Sequence, residues 1–143
     1  MTHATKMEDT MSSRARATFT IEGWDESTYA EMDDGRKLTR ASVKQALSGD
    51  IEGVGAVEWL MCYRPDKTAD FVGIQRISGA LGERSGSFVL LQSDGTFDGK
   101  IAKGELSVAV GSGTDGLRGL HGKGEFSAPF GSTASITLEY DFD

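Results

Sequence analysis

The sequence predicts an all-β fold, an eight-stranded antiparallel up-and-down barrel, and three observations support this. The last segment alternates apolar and polar residues, with Ile136, Leu138, Tyr140 and Phe142 on one face, as a half-buried strand requires. Similar segments recur along the chain with short connections, which antiparallel neighbours allow and parallel strands do not. Glycines are abundant, 19 in all, and barrel strands need glycine where they coil sharply. Eight strands in meander order close into a barrel that has no open edge.

The first predicted strand spans residues 17–31 and contains an irregularity. Phe19 and Ile21 point one way and alternate with polar residues. Trp24 falls out of this phase, so we expect a bulge at Gly23.

The second predicted strand, at residues 37–47, has two possible interpretations. Thr39, Ala41, Val43 and Leu47 alternate with polar neighbours, although the composition would also suit a helix. We favour a strand because the alternation has period two. The other six strands are predicted at residues 53–63, 70–77, 85–97, 101–110, 119–127 and 133–142.

We expect one barrel domain at residues 15–143 behind a flexible N-terminal tail at residues 1–14. The tail is polar and lacks the apolar run of a signal peptide, and no apolar stretch has the length of a membrane helix. The single cysteine, Cys62, excludes an internal disulfide. These features predict a cytoplasmic protein. The net charge of −7 argues against nucleic acids and anionic membranes as partners, since both attract clustered Lys and Arg.

The most distinctive stretch is GSGTDGLRGLHGKG at residues 111–124. Together with residues 85–92 (SGSFVLLQ), 95–99 (GTFDG) and 138–142 (LEYDF), it resembles a family of small, uncharacterised bacterial proteins. That family looks like the allene oxide cyclase and dirigent barrels. The resemblance covers residues 18–142 and implies a largely apolar lumen, which in the better-known relatives folds a reactive small molecule into a productive shape. No catalytic residue carries over, because the shared motif is the glycine turn.

Glu58 is the candidate catalytic residue. It lies in a strand that is apolar on both faces and shares one face with Leu60 and Cys62. If that face lines the lumen, burial would raise the pKa of the Glu58 carboxyl, which suits general acid–base catalysis. The alternative is a structural ion pair, for example with Arg76.

Several polar and aromatic side chains are candidates for binding a ligand. Gln75 and Arg76 point to opposite faces of one strand, so one of them should look inward and could hold a carbonyl or carboxylate. Core packing or solvation explains such residues equally well. The predicted ligand-binding residues are Trp24, Glu26, Tyr29, Trp59, Tyr63, Gln75 and Arg76.

Three further patterns do not indicate a site. Residues 111–116 match G-x-G-x-x-G, but the glycines that follow make the required helix implausible. His121 lies near no nucleophile motif, and one histidine with one cysteine, Cys62, cannot form a structural zinc site. We therefore expect neither a metal nor another cofactor.

The two strands at residues 53–63 and 70–77 are apolar on both faces. One face fills the lumen, and the other needs a cover, so we predict a homodimer or homotrimer. Three functions stay open: a cofactor-free isomerase or cyclase that acts on an apolar substrate, a lipocalin-like ligand-binding protein, and an oligomeric interaction protein with a packed lumen. The resemblance favours a ligand-binding, cyclase-like barrel whose partner is an apolar or aromatic small molecule.

Overall fold

The computed structural model describes residues 13–143, which form a closed antiparallel barrel in which each strand pairs with the next and the eighth pairs with the first. The strands are β1 (Ser13–Glu31), β2 (Lys37–Gly49), β3 (Ile51–Tyr63), β4 (Ala69–Leu81), β5 (Arg84–Phe97), β6 (Ile101–Val108), β7 (Leu120–Pro129) and β8 (Ala134–Phe142). Within these residues the helical structure is one 3-10 turn at Asp115–Leu117. No helix in this part of the chain is long and apolar enough to cross a membrane.

The predicted barrel, its strand order and its eight strands are confirmed. The helical alternative for residues 37–47 is wrong, because this segment pairs along its length with β1 and β3. The sheet begins earlier than expected: Ser13 pairs with Tyr140, and Arg14 pairs with Glu139 and forms a 2.9 Å ion pair with it. Residues 13 and 14 therefore belong to the barrel, and the rest of the predicted tail lies outside the described residues.

Strand β1 is irregular at two points, and the first is the expected bulge. The register slips between Ile21 and Gly23, which turns Trp24 to the same inner face as Phe19. A second slip lies between Thr28 and Ala30. An extra residue in one strand reverses the faces beyond it, so these bulges decide which side chains of β1 reach the lumen.

The two ends of the barrel differ in how they are filled. At the end that carries the β2–β3 and β4–β5 turns, large apolar side chains fill the interior, among them Ile51, Leu81 and Phe88, all fully or nearly fully buried. The β6–β7 loop adds Leu117, which is 1% exposed, and packs on β5 through a 2.9 Å bond from Thr114 N–H to the Ser87 carbonyl. We call this the closed end; the opposite end is the mouth.

Glycine lets the wall coil tightly near the closed end. Gly53 of β3 and Gly79 of β4 are register partners, and both have positive φ angles. A Cβ atom on Gly53 would lie 2.8 Å from the Gly79 Cα, so no side chain fits there. The β3 and β4 backbones therefore approach closely at the closed end, where the interior is packed.

Candidate functional site

A cavity of about 820 Å³ opens at the mouth of the barrel. Its size falls within the range of small-molecule sites in proteins. Most of its wall is apolar, and it is lined by Thr18, Phe19, Thr20, Ile21, Trp24, Trp59, Met61, Tyr63, Phe71, Phe97, Ala102, Phe126, Ala128, Pro129, Phe130, Gly131, Ser132, Thr133 and Ala134. The lumen is thus packed at the closed end and open at the mouth.

Three buried aromatic rings form the floor of this cavity. The Trp59 ring centroid lies 5.7 Å from that of Phe71 and 6.3 Å from that of Phe126, and Phe71 and Phe126 are 6.0 Å apart. Trp24 stands beside them, 5.6 Å from Trp59, and is about half exposed. Gly73 pairs with Trp59 across the β3–β4 ladder, and its missing side chain leaves the space that the indole occupies. The floor is therefore aromatic, with Trp59 and Phe126 nearly parallel at 21° and Phe71 turned edge-on to Trp59 at 62°.

A ladder of three buried glutamines lies beneath the aromatic floor. The Trp59 indole N–H donates to Gln92 Oε1, the Gln92 amide donates to Gln75 Oε1 at 2.8 Å, and the Gln75 amide donates to Gln45 Oε1. Each glutamine is at most 6% exposed. Because these buried amides bond to one another and to the indole, they orient the Trp59 ring instead of facing the cavity.

Glu26 connects the mouth of the cavity to the neighbouring strands. Its carboxylate accepts hydrogen bonds from Trp24 Nε1 at 3.1 Å, Thr39 Oγ1 at 2.6 Å and the Tyr63 hydroxyl at 3.0 Å. Burial, and then the hydrogen bond to Glu26 and its negative charge, raise the pKa of Tyr63 to about 12. At neutral pH the Tyr63 phenol therefore keeps its proton and donates a hydrogen bond to Glu26.

A second, polar pocket of about 520 Å³ adjoins the cavity. It lies between the β1–β2 and β3–β4 turns and includes Glu26, Lys37, Tyr63, Arg64 and Lys67. The Lys37 ammonium group stands over the Tyr63 ring, 5.2 Å from its centroid. Tyr63 lines both spaces and so forms part of the wall between them.

The structure brings four of the predicted ligand-binding residues together. Trp24, Trp59 and Tyr63 line the cavity, and Glu26 lies on the same inner face of β1 as Trp24. They meet because the bulge before Gly23 brings Trp24 into phase with the inner face of β2. That these residues bind a ligand stays a prediction.

The condition on which a catalytic Glu58 depended, a position in the lumen, is not met. The register of β3 turns Trp59 inward, so Glu58 lies on the outer surface and forms a 2.9 Å ion pair with Arg40. The hydrogen bond from Arg40, with a second one from Ser42, lowers the pKa of the Glu58 carboxyl. A lowered pKa is the opposite of what a general acid needs. The alternative of an ion pair is realised, but with Arg40 instead of Arg76.

Three other predicted residues lie away from the cavity. Tyr29 is 59% exposed on the outer surface, because it follows Thr28 at the second bulge. Arg76 also points outward, and its contact is a 3.4 Å hydrogen bond to the Ser87 hydroxyl. Gln75 does point inward, but it belongs to the glutamine ladder beneath the floor.

Sequence reasoning missed several residues that shape the site. Phe71 and Phe126 complete the floor, Gln92 holds Trp59, and Lys37 stands at the polar pocket. Phe71 could have been found from the alternation of β4, because Phe71, Gly73 and Gln75 lie on the same face of that strand. No comparable signal marks Phe126, because the glycines of β7 blur the alternation there.

The patterns set aside earlier lie outside the cavity. Residues 111–116 run through the β6–β7 loop into the short 3-10 turn, so no long helix presents its N-terminus to a phosphate there. The His121 Nε2 lies 3.3 Å from an Asp143 carboxylate oxygen at the surface. Among residues 13–143, no group of three His, Cys, Asp or Glu side chains is placed to hold a metal ion.

Comparisons with known proteins identify a family but no activity. The family model described as "Protein of unknown function (DUF3224)" matches residues 15–140. A crystal structure of a DUF3224 protein of unknown function from Shewanella oneidensis MR-1 is 25% identical and superposes with a TM-score of 0.75 over 92% of this chain and 98% of that one. No curated protein matches the chain. The likeness to allene oxide cyclase and dirigent barrels stays a prediction, because none of these comparisons tests it. The closed barrel and the match across nearly its whole length lead to one conclusion: the chain belongs to the DUF3224 family of proteins of unknown function.

Proposed function

We propose that the protein binds an apolar or aromatic small molecule in the cavity at the mouth. The observation that carries this proposal is the open space of about 820 Å³ above a floor of Trp59, Phe71 and Phe126. A barrel that needed only a packed core would fill this end with side chains, as it fills the closed end. An open apolar cavity is the usual form of a small-molecule site.

The floor favours a planar or ring-containing ligand. The ring planes of Trp24 and Trp59 lie at 50° to each other, so an aromatic ligand can contact both indole rings at once. Removing apolar surface from water gives roughly 25 cal/mol per Å², so affinity should follow the apolar area of the ligand. The half-exposed Trp24 is the residue whose loss would cost binding with the least damage to the core.

The experiment is a fluorescence titration with N-phenyl-1-naphthylamine, an uncharged aromatic probe, and native mass spectrometry of the same preparation. We expect the wild-type chain to bind the probe and Trp24→Ala to bind it about tenfold more weakly, a loss of about 1.4 kcal/mol. The control is Val110→Ala, a change at a fully exposed position in the β6–β7 loop, which should leave affinity unchanged. Absence of probe binding, or equal binding by both variants, would count against the cavity.

A cofactor-free isomerisation or cyclisation of the bound molecule is a second candidate function. It is favoured by the hydrogen-bonded Tyr63 and Glu26, which place a proton donor and a carboxylate beside a largely apolar cavity. Tyr63→Phe would remove the proton and keep the ring. If this pair catalyses a reaction, Tyr63→Phe should bind the ligand with the affinity of the wild type but convert it more slowly. Equal turnover rates for the two proteins would rule out a catalytic role of the Tyr63 hydroxyl.

We also propose that the barrel forms a homo-oligomer through its outer face, with a dimer as the simplest form. Leu60, Val72, Ile74 and Leu91 lie side by side on β3, β4 and β5, and 43 to 57% of each is exposed. Glu58 and Ile74 are register partners, and Arg76 lies two residues farther along the same face of β4. A face that carries both charge signs around an apolar centre complements a second copy of itself about a two-fold axis.

Light scattering coupled to size-exclusion chromatography tests this assembly. We expect a dimer for the wild type and for Val110→Asp, and a monomer for Ile74→Asp, because a carboxylate would then be buried against the apolar centre of the interface. A trimer would support association through this outer face but would replace the two-fold axis with a three-fold axis. A wild-type monomer at high concentration would reject the proposal.

A further inference from the structure

We infer that the ligand is an amphipathic anion, with its apolar or aromatic body in the cavity and its acidic group in the adjoining polar pocket on Lys37 and Lys67. This inference deepens the proposed binding function and depends on it. The two pockets differ in character: aromatic rings floor the first, whereas three of the nine residues that line the second are cationic and one, Glu26, is anionic. A neutral apolar ligand would use only the first.

The two pockets are neighbours that share the Tyr63 side chain in their walls. Tyr63 lines both of them, and the Glu26 carboxylate binds Trp24 on one side and Thr39 on the other. A molecule whose body rests on Trp24 and Trp59 therefore has the polar pocket next to it. The ring of Tyr63 is an apolar surface along which the junction between body and acidic group can lie.

The backbone determines where the two lysines stand. Lys37 pairs with Tyr63 across the β2–β3 ladder, and its ammonium group lies over the Tyr63 ring. Lys67 has a left-handed conformation, with φ of 74°, in a turn closed by a 2.9 Å bond from its own N–H to the Arg64 carbonyl. Asp66 reinforces this turn by accepting bonds from the Thr68 N–H and hydroxyl. Both lysines are thus held at the pocket by elements on opposite sides of it.

The other two charged side chains of the pocket already have partners, although the hydrogen bonds to Glu26 come from neutral groups and leave it one negative charge. Arg64 forms an ion pair with Asp70, and Glu26 accepts three hydrogen bonds. Among residues 13–143, neither Lys37 nor Lys67 forms an ion pair. The pocket therefore presents two unmatched ammonium groups in a chain whose net charge is −7. Since exposed charges are screened beyond about 10 Å, these two nearby cations govern an anion at the mouth more than the distant acidic surface does.

The experiment compares two probes with the same ring system. N-Phenyl-1-naphthylamine is neutral, and 8-anilinonaphthalene-1-sulfonate carries one negative charge. The test variant is Lys37→Gln with Lys67→Gln. The control is Lys103→Gln with Lys123→Gln, which removes the same charge from exposed positions on the outer face of β6 and β7. Circular dichroism checks that both variants fold.

We expect the test variant to bind the anionic probe about tenfold more weakly, which corresponds to one partly desolvated charge pair. It should bind the neutral probe as the wild type does, and the control variant should bind both probes as the wild type does. Equal losses in the two variants would assign the effect to overall charge and overturn the inference, as would no loss in either. If the neutral probe does not bind the wild-type chain at all, the proposed cavity itself fails, and the inference fails with it.

Discussion

The hydroxyl of Tyr63 donates a 3.0 Å hydrogen bond to the Glu26 carboxylate, and so ties β3 to β1 across the intervening strand β2. Trp24 and Thr39 donate to the same carboxylate. Glu26 and Trp24 point to the inner side of the sheet because the bulge before Gly23 shifts the phase of β1. The pair stands between the aromatic cavity and the polar pocket, so its hydrogen bonding and protonation bear on both spaces.

The protonation of Tyr63 can be measured directly. Replacing Glu26 with Gln should lower the pKa of Tyr63 from about 12, because it replaces a charged acceptor with a weaker neutral one, while burial still holds the pKa above its usual value of 10.0. Ultraviolet titration of tyrosinate absorbance follows the change, and Tyr63→Phe identifies which component belongs to Tyr63. A late-titrating component that Glu26→Gln leaves unmoved would contradict the assignment.

The same shift predicts how stability changes in alkali. The unfolded chain releases the Tyr63 proton near pH 10, whereas the folded chain retains it until about pH 12. Folding therefore gains its full contribution from this group below pH 10 and loses it as the pH rises towards 12. Urea denaturation across this range should give a steeper loss of stability for the wild type than for Tyr63→Phe. Parallel curves for the two proteins would show that Tyr63 contributes nothing.

The glutamine ladder should be costly to interrupt. Gln92→Leu removes the acceptor of the Trp59 indole and the donor to Gln75, and leaves both groups buried without a partner. We expect a loss of roughly 2 kcal/mol or more in the free energy of unfolding. Ser93→Ala, at the exposed neighbouring position, is the matched control and should change stability by less than about 0.5 kcal/mol. Urea denaturation compares them, and equal stabilities would refute a structural role for the ladder.

Gly73 should not tolerate a side chain. A Cβ atom there would overlap the Trp59 indole and approach the Glu58 carbonyl, so Gly73→Ala should destabilise the barrel by about 2 kcal/mol and displace the indole. Thermal unfolding and tryptophan fluorescence measure the two effects. Gly23→Ala is the control, since the nearest atom to its Cβ would be 3.9 Å away. If both variants have the same unfolding temperature and the same tryptophan fluorescence, the close packing of Trp59 against Gly73 does not exclude a side chain at that position.

Glu58 should matter little for binding. Glu58→Gln breaks an ion pair with Arg40 whose two side chains are 47 and 63% exposed, and such pairs contribute less than about 1 kcal/mol. Probe affinity should stay within about twofold of the wild type, a change of roughly 0.4 kcal/mol. The fluorescence titration described above is the measurement. A large loss of binding would mean that the outer face communicates with the cavity.

The strands of this protein could be predicted closely because alternation depends on local sequence. Residues 37–47 show this: their composition allowed a helix, but their period-two pattern predicted the strand that the structure contains. The bulge near Gly23 was also predictable, since Phe19 and Trp24 cannot share a face in a regular strand. Most of the site could not be predicted from the sequence, because it joins residues from β1, β3, β4 and β7 that are far apart in the chain.

The sequence by itself determined that this chain is an antiparallel barrel of eight strands, since side-chain alternation and short turns act between neighbouring residues. Only the tertiary structure decided which face of β3 is inside, because Glu58 and Trp59 alternate equally well in either orientation. Closure of the barrel settles that choice for all strands at once, since one register must bury Trp59, Phe71 and Phe126 together. The cavity, the glutamine ladder and the pairing of Tyr63 with Glu26 are consequences of that single closure.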